Sequence, residues 1–546
     1  MDKWQVARSL DEIAKYVDLS EPNRFKSMAF EKAARAISSL DRDPADLIAS
    51  GDLQKTPGIG KTTASVIEEL VRTGRSRYLD ELRKKYPPGI FELLRVPKLG
   101  LKKIGVLHEK LGIGSLDELE QACRAGKLRT LRGFGEKTEQ HILKGIAFAR
   151  KRESQFLLPV GIEIGEAIRA QLAHYDEIGN AEISGSVRRR LEVIRNVNIV
   201  VSTGDVDAAQ KIFTKIVADL ETIDETTFKG TARNNVEVIF HVAKPNAFGS
   251  MLFRTTGSRE FVEAFGEIKP AKNEEQVFER AEKVWVAPER RETTEDLKRK
   301  KKRTLVTLED LRGTFHVHST FSDGRNTILE MLTAARDRGF EYVGMSDHSQ
   351  SAFYAGGLTP DGVRSQQAEI AKQEPNVAPM RVFRGTEADI LADGSIDYDE
   401  ETLDRFDFVI ASIHSRFGMS PEEMTERILK ALDNPHVTFL GHLTGRLLLA
   451  REGYTMDFDR VFEKAGARGV MIEINGNPRR LDIDWRLIGR ALDRGVRFSI
   501  NPDAHSIHEF NTLISGTWVA RKAGLSPKEI FNTKPVEEVA EFLARK

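Results

Sequence analysis

The spacing of apolar residues divides the chain into three parts. Up to residue 150, apolar positions recur every three or four residues between Gly-containing turns, which predicts helices. Residues 155–290 mix this helical spacing with β-rich runs such as NVNIVVST and NNVEVIFHVA. From Leu311 onward, short apolar runs alternate with helical stretches, which is the pattern of a parallel α/β fold. The sequence therefore predicts a multidomain protein.

A charged run, ERRETTEDLKRKKKR, occupies residues 289–303 between the second and third parts. Such a run is typical of a solvated linker or helix edge, and a basic arm that touches DNA is the alternative. We predict domains at residues 1–95, 96–150, 151–290 and 311–546, with residues 291–310 as the charged linker.

Bulk composition excludes several protein classes. The 546 residues are 40% hydrophobic and 30% charged, and no apolar run reaches the length of a membrane span. The N-terminal segment reads as an amphipathic helix and not as a signal peptide. The single cysteine, Cys123, excludes a disulfide framework and a Cys-rich zinc site. We expect a cytoplasmic monomer that has no contact with membranes.

Charge and histidine are distributed unevenly along a chain whose net charge is zero. Residues 1–150 hold 28 Lys and Arg against 21 Asp and Glu, whereas residues 311–546 hold 29 against 35. A basic head suits a polyanion and an acidic tail suits cations, with unequal solvated faces as the plain alternative. Eight of the twelve histidines lie between His316 and His508, which directs attention to the third part.

Each predicted strand of the third part ends in His, Asp, Glu or Asn. In a parallel barrel the C-terminal ends of all strands lie on one face, and that face holds the active site. Imidazole and carboxylate ligate divalent metals, and nine such groups suffice for two or three ions. His316 and His318 share one face of their strand, so both can reach one ion. The predicted ligands are His316, His318, Asp323, His348, Glu387, His414, His442, Asp503 and His505.

The motifs HVHSTFSDG, SDH, GTEAD, EINGNPRRLD and PDAH resemble the PHP domain. The resemblance implies a distorted seven-stranded β/α barrel with a zinc or manganese centre that activates water for hydrolysis at phosphorus. It implies a first ion held by His316, His318, Glu387 and Asp503, a second held by Glu387, His414 and His442, and a third held by Asp323, His348 and His505. We assign catalysis to Glu387, Asp503 and His505. Arg479 and Arg480 are candidates to hold substrate phosphate, with a plain surface position as the alternative.

Three segments of the first part have a helix–hairpin–helix pattern: TPGIGKTTASVIEEL, VPKLGLKKIGVLHEKLGI and LRGFGEKTEQHIL. A Gly-x-Gly turn before a helix exposes backbone N–H groups toward a phosphate, although such turns also connect helices without any ligand. Three of them predict sequence-independent DNA binding. The predicted contact residues are Gly58, Gly60, Lys61, Gly100, Lys102, Lys103, Gly133, Gly135 and Lys137.

The order of the parts resembles the bacterial family X DNA polymerases. FKSMAFEKAARAI (25–37) is similar to the first-domain helix of that family, GSVRR (185–189) to its phosphate-binding palm turn and TGSREF (256–261) to its thumb entry. The resemblance implies an all-α helix–hairpin–helix head, an α/β nucleotidyltransferase palm with a thumb, and a C-terminal PHP barrel. Gly185, Ser186 and Arg189 would bind nucleotide phosphate.

The palm lacks the carboxylates that two-metal nucleotidyl transfer requires. Asn196 and Asn198 stand where the family has an Asp-x-Asp pair, and Glu237 stands at the third position. Neutral amides remove two negative charges from a site built for Mg²⁺. Asp205 and Asp207 are the alternative metal ligands. We therefore expect a palm that binds DNA or nucleotide and polymerises poorly or not at all.

Two further positions depart from the family. Arg190 replaces a Gly after the palm turn, where a cation would block the nucleotide or offset the missing ions. Val66 stands where lyase-active members carry the Schiff-base Lys, and the nearby Lys61 lies in the turn, so lyase activity is not expected.

Three functions remain open from the sequence. The first is a DNA repair and end-processing enzyme, bacterial and nucleoid-associated, with a 3′–5′ exonuclease or phosphoesterase activity in the PHP domain. Its partner is gapped DNA or DNA with 3′ ends, and dNTP is a second candidate ligand. The second function is an active template-directed polymerase that the PHP domain proofreads. The third is a small-molecule phosphatase of the histidinol-phosphate type, for which the hairpin motifs would have no use.

Overall fold

The structure, a computed structural model, describes residues 3–20, 24–38, 44–97, 99–151, 154–232 and 235–545. The chain forms two compact units, Met1–Glu153 and Ser154–Lys546. In the described residues no helix is long and apolar enough to cross a membrane.

The first unit is helical, as the three- and four-residue spacing predicts. Serine caps start two of its helices, because Ser76 and Ser115 accept hydrogen bonds from the N–H groups of Leu79 and Glu118. Cys123 is buried in this helical core. The helices are α1 (Lys3–Ser20), α2 (Arg24–Ser38), α3 (Pro44–Ala49), α4 (Lys61–Thr73), α5 (Arg77–Lys85), α6 (Leu101–Leu111), α7 (Leu116–Arg124) and α8 (Glu136–Lys151).

The second unit begins with an α/β region. Strands β2, β4, β7, β6 and β5 form one sheet in that order, in which only the β4–β7 pair is parallel. Phe213 stacks on Phe240 at 4.1 Å between ring centroids in the core below the sheet. The elements are β1 (Phe156–Leu157), α9 (Leu158–Leu172), β2 (Asn180–Ser184), α10 (Gly185–Arg188), β3 (Val193–Ile194), β4 (Asn196–Ser202), α11 (Val206–Ile216), β5 (Ala218–Asp224), β6 (Thr227–Thr231) and β7 (Glu237–Ala243).

Three short helices follow: α12 (Phe248–Thr256), α13 (Arg259–Phe265) and α14 (Glu274–Arg280). Their phenylalanines pack around Arg291, whose guanidinium carbon lies 5.4 Å from the ring centroid of Phe253. The side chain of Arg291 is 0% exposed and pairs with Glu274, which is 3% exposed. A buried cation of this kind persists because a carboxylate compensates its charge.

The prediction of a solvated charged run is wrong for its first half. Arg290 is 6% exposed and forms a 2.8 Å ion pair with Asp296, which is 5% exposed. Arg290 also donates to the main-chain oxygen of Lys522 at 2.6 Å. Residues 289–296 therefore pack against the rest of the second unit. Arg290, for example, contacts Lys522, which lies far away in sequence.

The last region is the predicted barrel. Within residues 235–545, which are described without a gap, seven strands are parallel and pair in chain order, and a bridge between Val317 and Ala504 brings the two edges together. Phe315 lies 5.0 Å from both Phe408 and Phe439 in an aromatic cluster shared by neighbouring strands. The strands are β8 (Gly313–Val317), β9 (Tyr342–Met345), β10 (Arg381–Asp389), β11 (Phe408–Ser412), β12 (Val437–Leu440), β13 (Met471–Asn475) and β14 (Phe498–Asn501).

Helices connect these strands and cover the barrel, which confirms the predicted β/α architecture. They are α15 (Ile328–Arg336), α16 (Pro360–Gln373), α17 (Glu400–Leu403), α18 (Pro421–Ala431), α19 (Phe458–Arg468), α20 (Trp485–Leu492), α21 (Leu513–Ala523) and α22 (Val536–Ala544).

Candidate metal centre

The C-terminal ends of the barrel strands bring the predicted ligands to one place. His316 lies in β8, Glu387 lies in β10, and His414 follows β11. The side chains of His316 and His318 are 0% exposed, and that of Glu387 is 1% exposed. All nine predicted ligands belong to groups whose ligand atoms approach one another within 4.8 Å: His316, His318, Asp323, His348, Glu387, His414, His442, Asp503 and His505.

Glu387 lies in the middle of the cluster, and its two oxygens face different histidines. Oε1 lies 2.9 Å from Nε2 of His442 and 3.2 Å from Nε2 of His414. Oε2 lies 2.9 Å from Nδ1 of His348 and 3.6 Å from Nε2 of His318. A carboxylate with ligand-type nitrogens beside both oxygens has the position needed to bridge two cations.

The other two carboxylates lie toward the β8–β14 side of the cluster. Oδ1 of Asp503 lies 3.4 Å from Nε2 of His316 and 3.5 Å from Nε2 of His318. Oδ1 of Asp323 lies 3.2 Å from Nε2 of His505. Each carboxylate therefore offers one oxygen to at least one imidazole nitrogen at a separation that a divalent ion can occupy.

The ligand atoms form four overlapping groups, and Glu387 belongs to two of them. His414 groups with Glu387 and His348, and His442 groups with Glu387 and His316. The other groups are His316 with His318 and Asp503, and His318 with Asp323, His348 and His505.

The bonding capacity of the cluster residues suits a metal ion, because several of their buried atoms make no hydrogen bond with the described residues. Nε2 of His316, both ring nitrogens of His318, Nδ1 of His442 and Oε2 of Glu387 are buried without a hydrogen-bond partner among the described residues. Buried polar atoms are normally hydrogen-bonded, and unsatisfied ones commonly mark a site for an ion or water. Imidazole and carboxylate together suit borderline and hard divalent cations.

Carboxylates raise the proton affinity of several of these imidazoles. Burial alone lowers the pKa of His316, but the charges of Glu473, Asp503 and Glu387 outweigh it and hold that pKa well above its usual value. Burial lowers the pKa of His414, but the charges of Glu387 and Asp389 outweigh it and raise that pKa to about 10. The raised pKa values favour protonated imidazoles, so metal binding at these residues competes with protons.

His318 shows the opposite behaviour. Burial first, then the adjacent His505 and His348, lower the pKa of His318 to about 3. Burial raises the pKa of Glu387 and Asp503, but the surrounding imidazoles outweigh it and hold both values well below their usual range. The centre therefore contains ionised carboxylates and at least one neutral imidazole, which are the protonation states in which these groups bind metals.

The backbone is strained at three of the predicted ligands. The φ angles are +61° at His316, +25° at His442 and +54° at Asp503, in the left-handed region that side chains other than glycine rarely adopt. Such conformations persist only where the surrounding structure imposes them, and they concentrate at functional sites.

Two carboxylates that the sequence did not identify orient the predicted ligands. Glu473 accepts from the N–H of His442 at 2.8 Å, and its other oxygen lies 2.5 Å from Nδ1 of His316. Asp389 lies 2.6 Å from Nδ1 of His414. A carboxylate on the second nitrogen fixes the tautomer and orientation of a metal-binding histidine. Their signal was an acidic residue inside or ending a buried strand, as in GTEAD and EIN.

Of the two candidate phosphate-binding arginines, only Arg480 faces the cluster. Its Nε lies 3.5 Å from Oδ2 of Asp503, and its side chain is 19% exposed. Arg479 is exposed, and its main-chain oxygen accepts a hydrogen bond from the N–H of Leu448. Arg480 is thus available to an anion held at the cluster.

The three hairpin turns of the first unit share one geometry. In each turn an N–H donates at 3.1 Å to a carbonyl three residues earlier, from Ile59 to Thr56, from Leu99 to Val96 and from Phe134 to Leu131. Gly58 and Gly133 have φ angles of +91° and +90°, which explains the glycine at those positions. The middle hairpin has Lys98 there, which lies outside the described residues.

The glycine that precedes the helix in each hairpin has open space around it. No described atom lies within 4 Å of the place where a Cβ would stand at Gly60, Gly100 or Gly135. Each of these glycines directly precedes a helix, α4, α6 or α8. The predicted lysines, Lys61, Lys102, Lys103 and Lys137, are all exposed. Backbone N–H groups, the start of a helix and lysines therefore occur together at three places, which suits a phosphate backbone.

The palm positions hold amides instead of a metal site. Asn196 and Glu237 are partners on adjacent strands. Asn198 donates to Asn196 at 2.9 Å, and Nε2 of His241 lies 2.9 Å from Oδ1 of Asn198. Oε2 of Glu237 lies 3.9 Å from Nζ of Lys229. In the described part of the chain, no three His, Cys, Asp or Glu side chains converge here.

The alternative carboxylates of the palm have a structural position. Asp205 caps the start of α11, where Oδ1 accepts from the N–H of Ala208 at 2.9 Å. Asp207 lies in the first turn of the same helix. Neither belongs to a group that can hold an ion among the described residues.

The arginines of the GSVRR turn are held by protein atoms. Arg188 donates to Oγ1 of Thr256 at 2.8 Å and to Glu274 at 2.6 Å. Arg189 donates to the main-chain oxygen of Thr256 at 2.7 Å and to Glu292. Arg189, predicted to bind nucleotide phosphate, is thus already bonded to protein atoms. The other two predicted residues, Gly185 and Ser186, form the start of α10 after β2.

Arg190 joins the palm to the barrel. Its guanidinium carbon lies 4.3 Å from the ring centroid of Trp518 in α21, a cation–π contact. From the same helix, Lys522 donates to the main-chain oxygen of Arg189 at 3.0 Å. The φ angle of Arg190 is +56°, which accounts for a glycine at this position elsewhere in the family that the sequence resembles.

Comparison with known proteins places three domain families on the chain. A helix-hairpin-helix domain matches residues 1–76, a SAM-like helix-hairpin-helix tandem matches residues 90–147, and a PHP domain matches residues 314–477. "DNA polymerase/3′-5′ exonuclease PolX" of Bacillus subtilis is 33% identical over 100% of both chains. A "Probable phosphatase" of Syntrophotalea carbinolica is 27% identical, and one of Caldicellulosiruptor saccharolyticus is 29% identical, each over 42% of this chain and 94% of its own length.

Proposed function

Because the chain belongs to the bacterial family X DNA polymerases that carry a PHP domain, we propose that it repairs DNA by processing 3′ ends. The PHP centre hydrolyses phosphodiester bonds in the 3′–5′ direction, and the helix–hairpin–helix unit holds the DNA backbone. The single observation that carries the proposal is the complete set of nine ligand-type side chains in a chain that is similar to a PolX over its whole length.

The proposed cofactor is Zn²⁺ or Mn²⁺, with two or three ions held by the four groups of ligand atoms. When bound, such ions supply Lewis-acid chemistry, which activates a water and neutralises charge on the phosphate oxygens. Glu387 would supply a carboxylate to two of the ligand groups, and Asp503 and His505 would complete the catalytic set. Glu473 and Asp389 hold the ligand imidazoles in orientation.

Arg480 is the proposed substrate-binding residue of the centre. Its guanidinium is half-buried beside Asp503, so its charge is directed into the site and only partly screened by water. A guanidinium presents a planar fork of donors that matches two phosphate oxygens. Arg479 has no such position and is not part of this proposal.

The proposal that DNA is the partner rests on the helical first unit and not on the barrel. The hairpin glycines and Lys61, Lys102, Lys103 and Lys137 would contact phosphates without reading bases, so gapped DNA and free 3′ ends of any sequence are substrates. The protein would act as a cytoplasmic, nucleoid-associated monomer. A deoxynucleoside triphosphate is a weaker candidate ligand, since the turn arginines are engaged.

We propose that the palm contributes little or no polymerisation. Asn196 and Asn198 bond to each other, and Glu237 is the one carboxylate of the three positions. Without paired carboxylates the palm cannot hold two Mg²⁺ ions in the geometry that nucleotidyl transfer requires. Lyase activity is also excluded from the proposal, because the buried Val66 offers no amine.

A labelled primer tests the proposal directly. Incubated with MnCl₂ or ZnCl₂ and no dNTP, a 5′-labelled oligonucleotide should be shortened from its 3′ end into a ladder. The same strand labelled at the 3′ end should release mononucleotide first. Release of label without a ladder, with faster hydrolysis of histidinol phosphate than of DNA, would favour the small-molecule phosphatase instead.

A further inference from the structure

Two aromatic side chains lie exposed at the rim of the candidate metal centre. Phe353 is 85% exposed and Tyr354 is 63% exposed, the only aromatic residues among the large exposed apolar side chains of residues 235–545. Exposing aromatic rings to water is unfavourable in free energy, and an exposed aromatic pair commonly marks a binding surface. The pair supplies neither a predicted metal ligand nor the proposed phosphate-binding residue.

The loop that carries the pair starts and ends at the metal centre. It begins directly after the predicted ligand His348, and its far end returns through the N–H of Leu358, which donates to the main-chain oxygen of His348 at 2.8 Å. Gly356 lies against Ser322, the neighbour of the predicted ligand Asp323, since a Cβ at Gly356 would be 3.6 Å from the oxygen of Ser322. The loop therefore spans the space between two predicted ligands.

The loop is firmly held, so the rings project from a fixed base. Ala352 and Ala355, on either side of the pair, are 0% and 4% exposed. The N–H of Ser351 donates to Asp397 at 2.6 Å. Gly357 passes so close to Ser349 that a Cβ would lie 1.9 Å from its main-chain oxygen. Exposure of the rings is therefore not the result of a loose loop.

Tyr354 interacts electrostatically with the cluster. Desolvation raises the pKa of its hydroxyl, and the negative charges of Asp389, Glu387 and Asp323 raise it further, whereas Arg480 opposes them. The hydroxyl is thus within electrostatic range of both the predicted ligands and the proposed phosphate-binding arginine. Phe353 continues the surface outward, with its ring centroid 6.0 Å from that of Tyr354 and the two planes at 78°.

We propose that Phe353 and Tyr354 hold the unpaired terminal base of the DNA strand whose phosphate enters the metal centre. This inference rests on the proposed function. A phosphate held by the centre and by Arg480 leaves the attached nucleoside at the rim, where an aromatic face can stack on any base without selecting its sequence. Because the two ring planes meet at 78°, one ring can stack on the face of the base while the other contacts its edge. The pair would thereby select nucleic acid over small phosphate esters.

The test compares two strands that differ only in the last base. One ends in a normal 3′ nucleotide, and the other ends in a tetrahydrofuran residue that has the phosphate and no base. Full-length wild-type protein with MnCl₂ should remove the normal nucleotide with a kcat/KM roughly 5- to 150-fold higher, the range for loss of one stacked base, mainly through KM. The Phe353→Ala/Tyr354→Ala protein should show the same rate on both strands, equal to the wild-type rate on the abasic strand.

Two further variants separate stacking from structural effects. Tyr354→Phe keeps the ring and should retain the preference for the normal base, whereas Leu329→Ala, which removes another exposed apolar side chain of the barrel, should behave as wild type. An unchanged preference in the double variant, or an equal loss on both strands, overturns the inference while leaving the exonuclease in place. If the wild-type protein shortens neither strand, the proposed function itself has failed.

Discussion

The barrel centre and the palm are two candidate sites in one folding unit, and they differ in whether their polar side chains have protein partners. At the barrel, carboxylates and imidazoles leave buried donors and acceptors without protein partners, so the cluster is incomplete until a cation binds. At the palm, Asn196 and Asn198 satisfy each other, and Arg188 and Arg189 are satisfied by Thr256 and nearby carboxylates. The barrel cluster thus keeps several buried atoms that lack a partner among the described residues, whereas these palm side chains are bonded to protein atoms.

The largest effect is expected from Glu387→Ala. The substitution removes the charge that faces five imidazoles, so hydrolysis of DNA should fall by at least roughly 10²- to 10³-fold, as when a group that stabilises the transition state is removed. The measurement is the initial rate of primer shortening with MnCl₂. Glu400→Ala, an exposed acidic position of the same barrel, is the matched control and should keep wild-type activity. Undiminished digestion by the Glu387→Ala protein would remove the assignment of this site.

A smaller effect is expected when the orienting carboxylates change. Glu473→Gln and Asp389→Asn preserve shape and remove charge, so each should weaken metal binding about 10- to 100-fold. Competition with a chromogenic chelator measures this directly, without any activity assay. Equal affinity in both variants and wild type would show that His316 and His414 are held by the fold alone.

The palm prediction tests the other side of the comparison. In the Glu387→Ala background, where digestion cannot hide synthesis, a primed template with dNTP and Mg²⁺ or Mn²⁺ should be extended weakly or not at all. Adding Asn196→Asp and Asn198→Asp should increase metal binding and restore little synthesis, because Arg188 and Arg189 are engaged elsewhere and reaction geometry tolerates small misplacement poorly. Robust templated extension without these two changes would favour the second hypothesis, a polymerase with its own editor.

The smallest effect is expected at the hairpins. Full-length protein should bind DNA with a log–log salt slope of a few units, since each phosphate contact contributes about 0.9. Lys61→Ala, Lys102→Ala and Lys137→Ala together should reduce the slope by about 2 to 3 units and weaken binding similarly for every sequence. Lys300→Ala, a lysine of the exposed half of the charged run, is the control. Binding that ignores salt would contradict the electrostatic role of the hairpins.

The parts of the molecule that follow a repeating rule could be predicted from sequence. Ligand-type residues lie at or just after the ends of the seven strands because parallel strands share one catalytic face, and all seven strands form as expected. Glu473 and Asp389 were missed because a buried acid in a strand does not reveal which neighbour it serves. The burial of Arg290 was missed because its partners, Asp296 and the carbonyl of Lys522, come together only after folding.

The role of Arg190 could not be predicted from sequence either. The sequence identified it as a departure from the family and attributed it to the nucleotide site. Its contact with Trp518 depends on how the palm and the barrel pack, which local pattern does not encode. The distribution of imidazoles between the two oxygens of Glu387 likewise depends on side-chain directions that only the assembled barrel determines.

The single cysteine has a consequence for chemistry under oxidising conditions. Cys123 is buried, and burial together with Glu139 and Glu120 raises its pKa to about 11, so at neutral pH roughly one molecule in 10⁴ carries the thiolate that peroxides attack. The candidate centre contains only nitrogen and oxygen ligands, so thiol oxidation cannot dismantle it. Peroxide would therefore leave this thiol largely reduced and would not remove a ligand of the centre by oxidising a thiol.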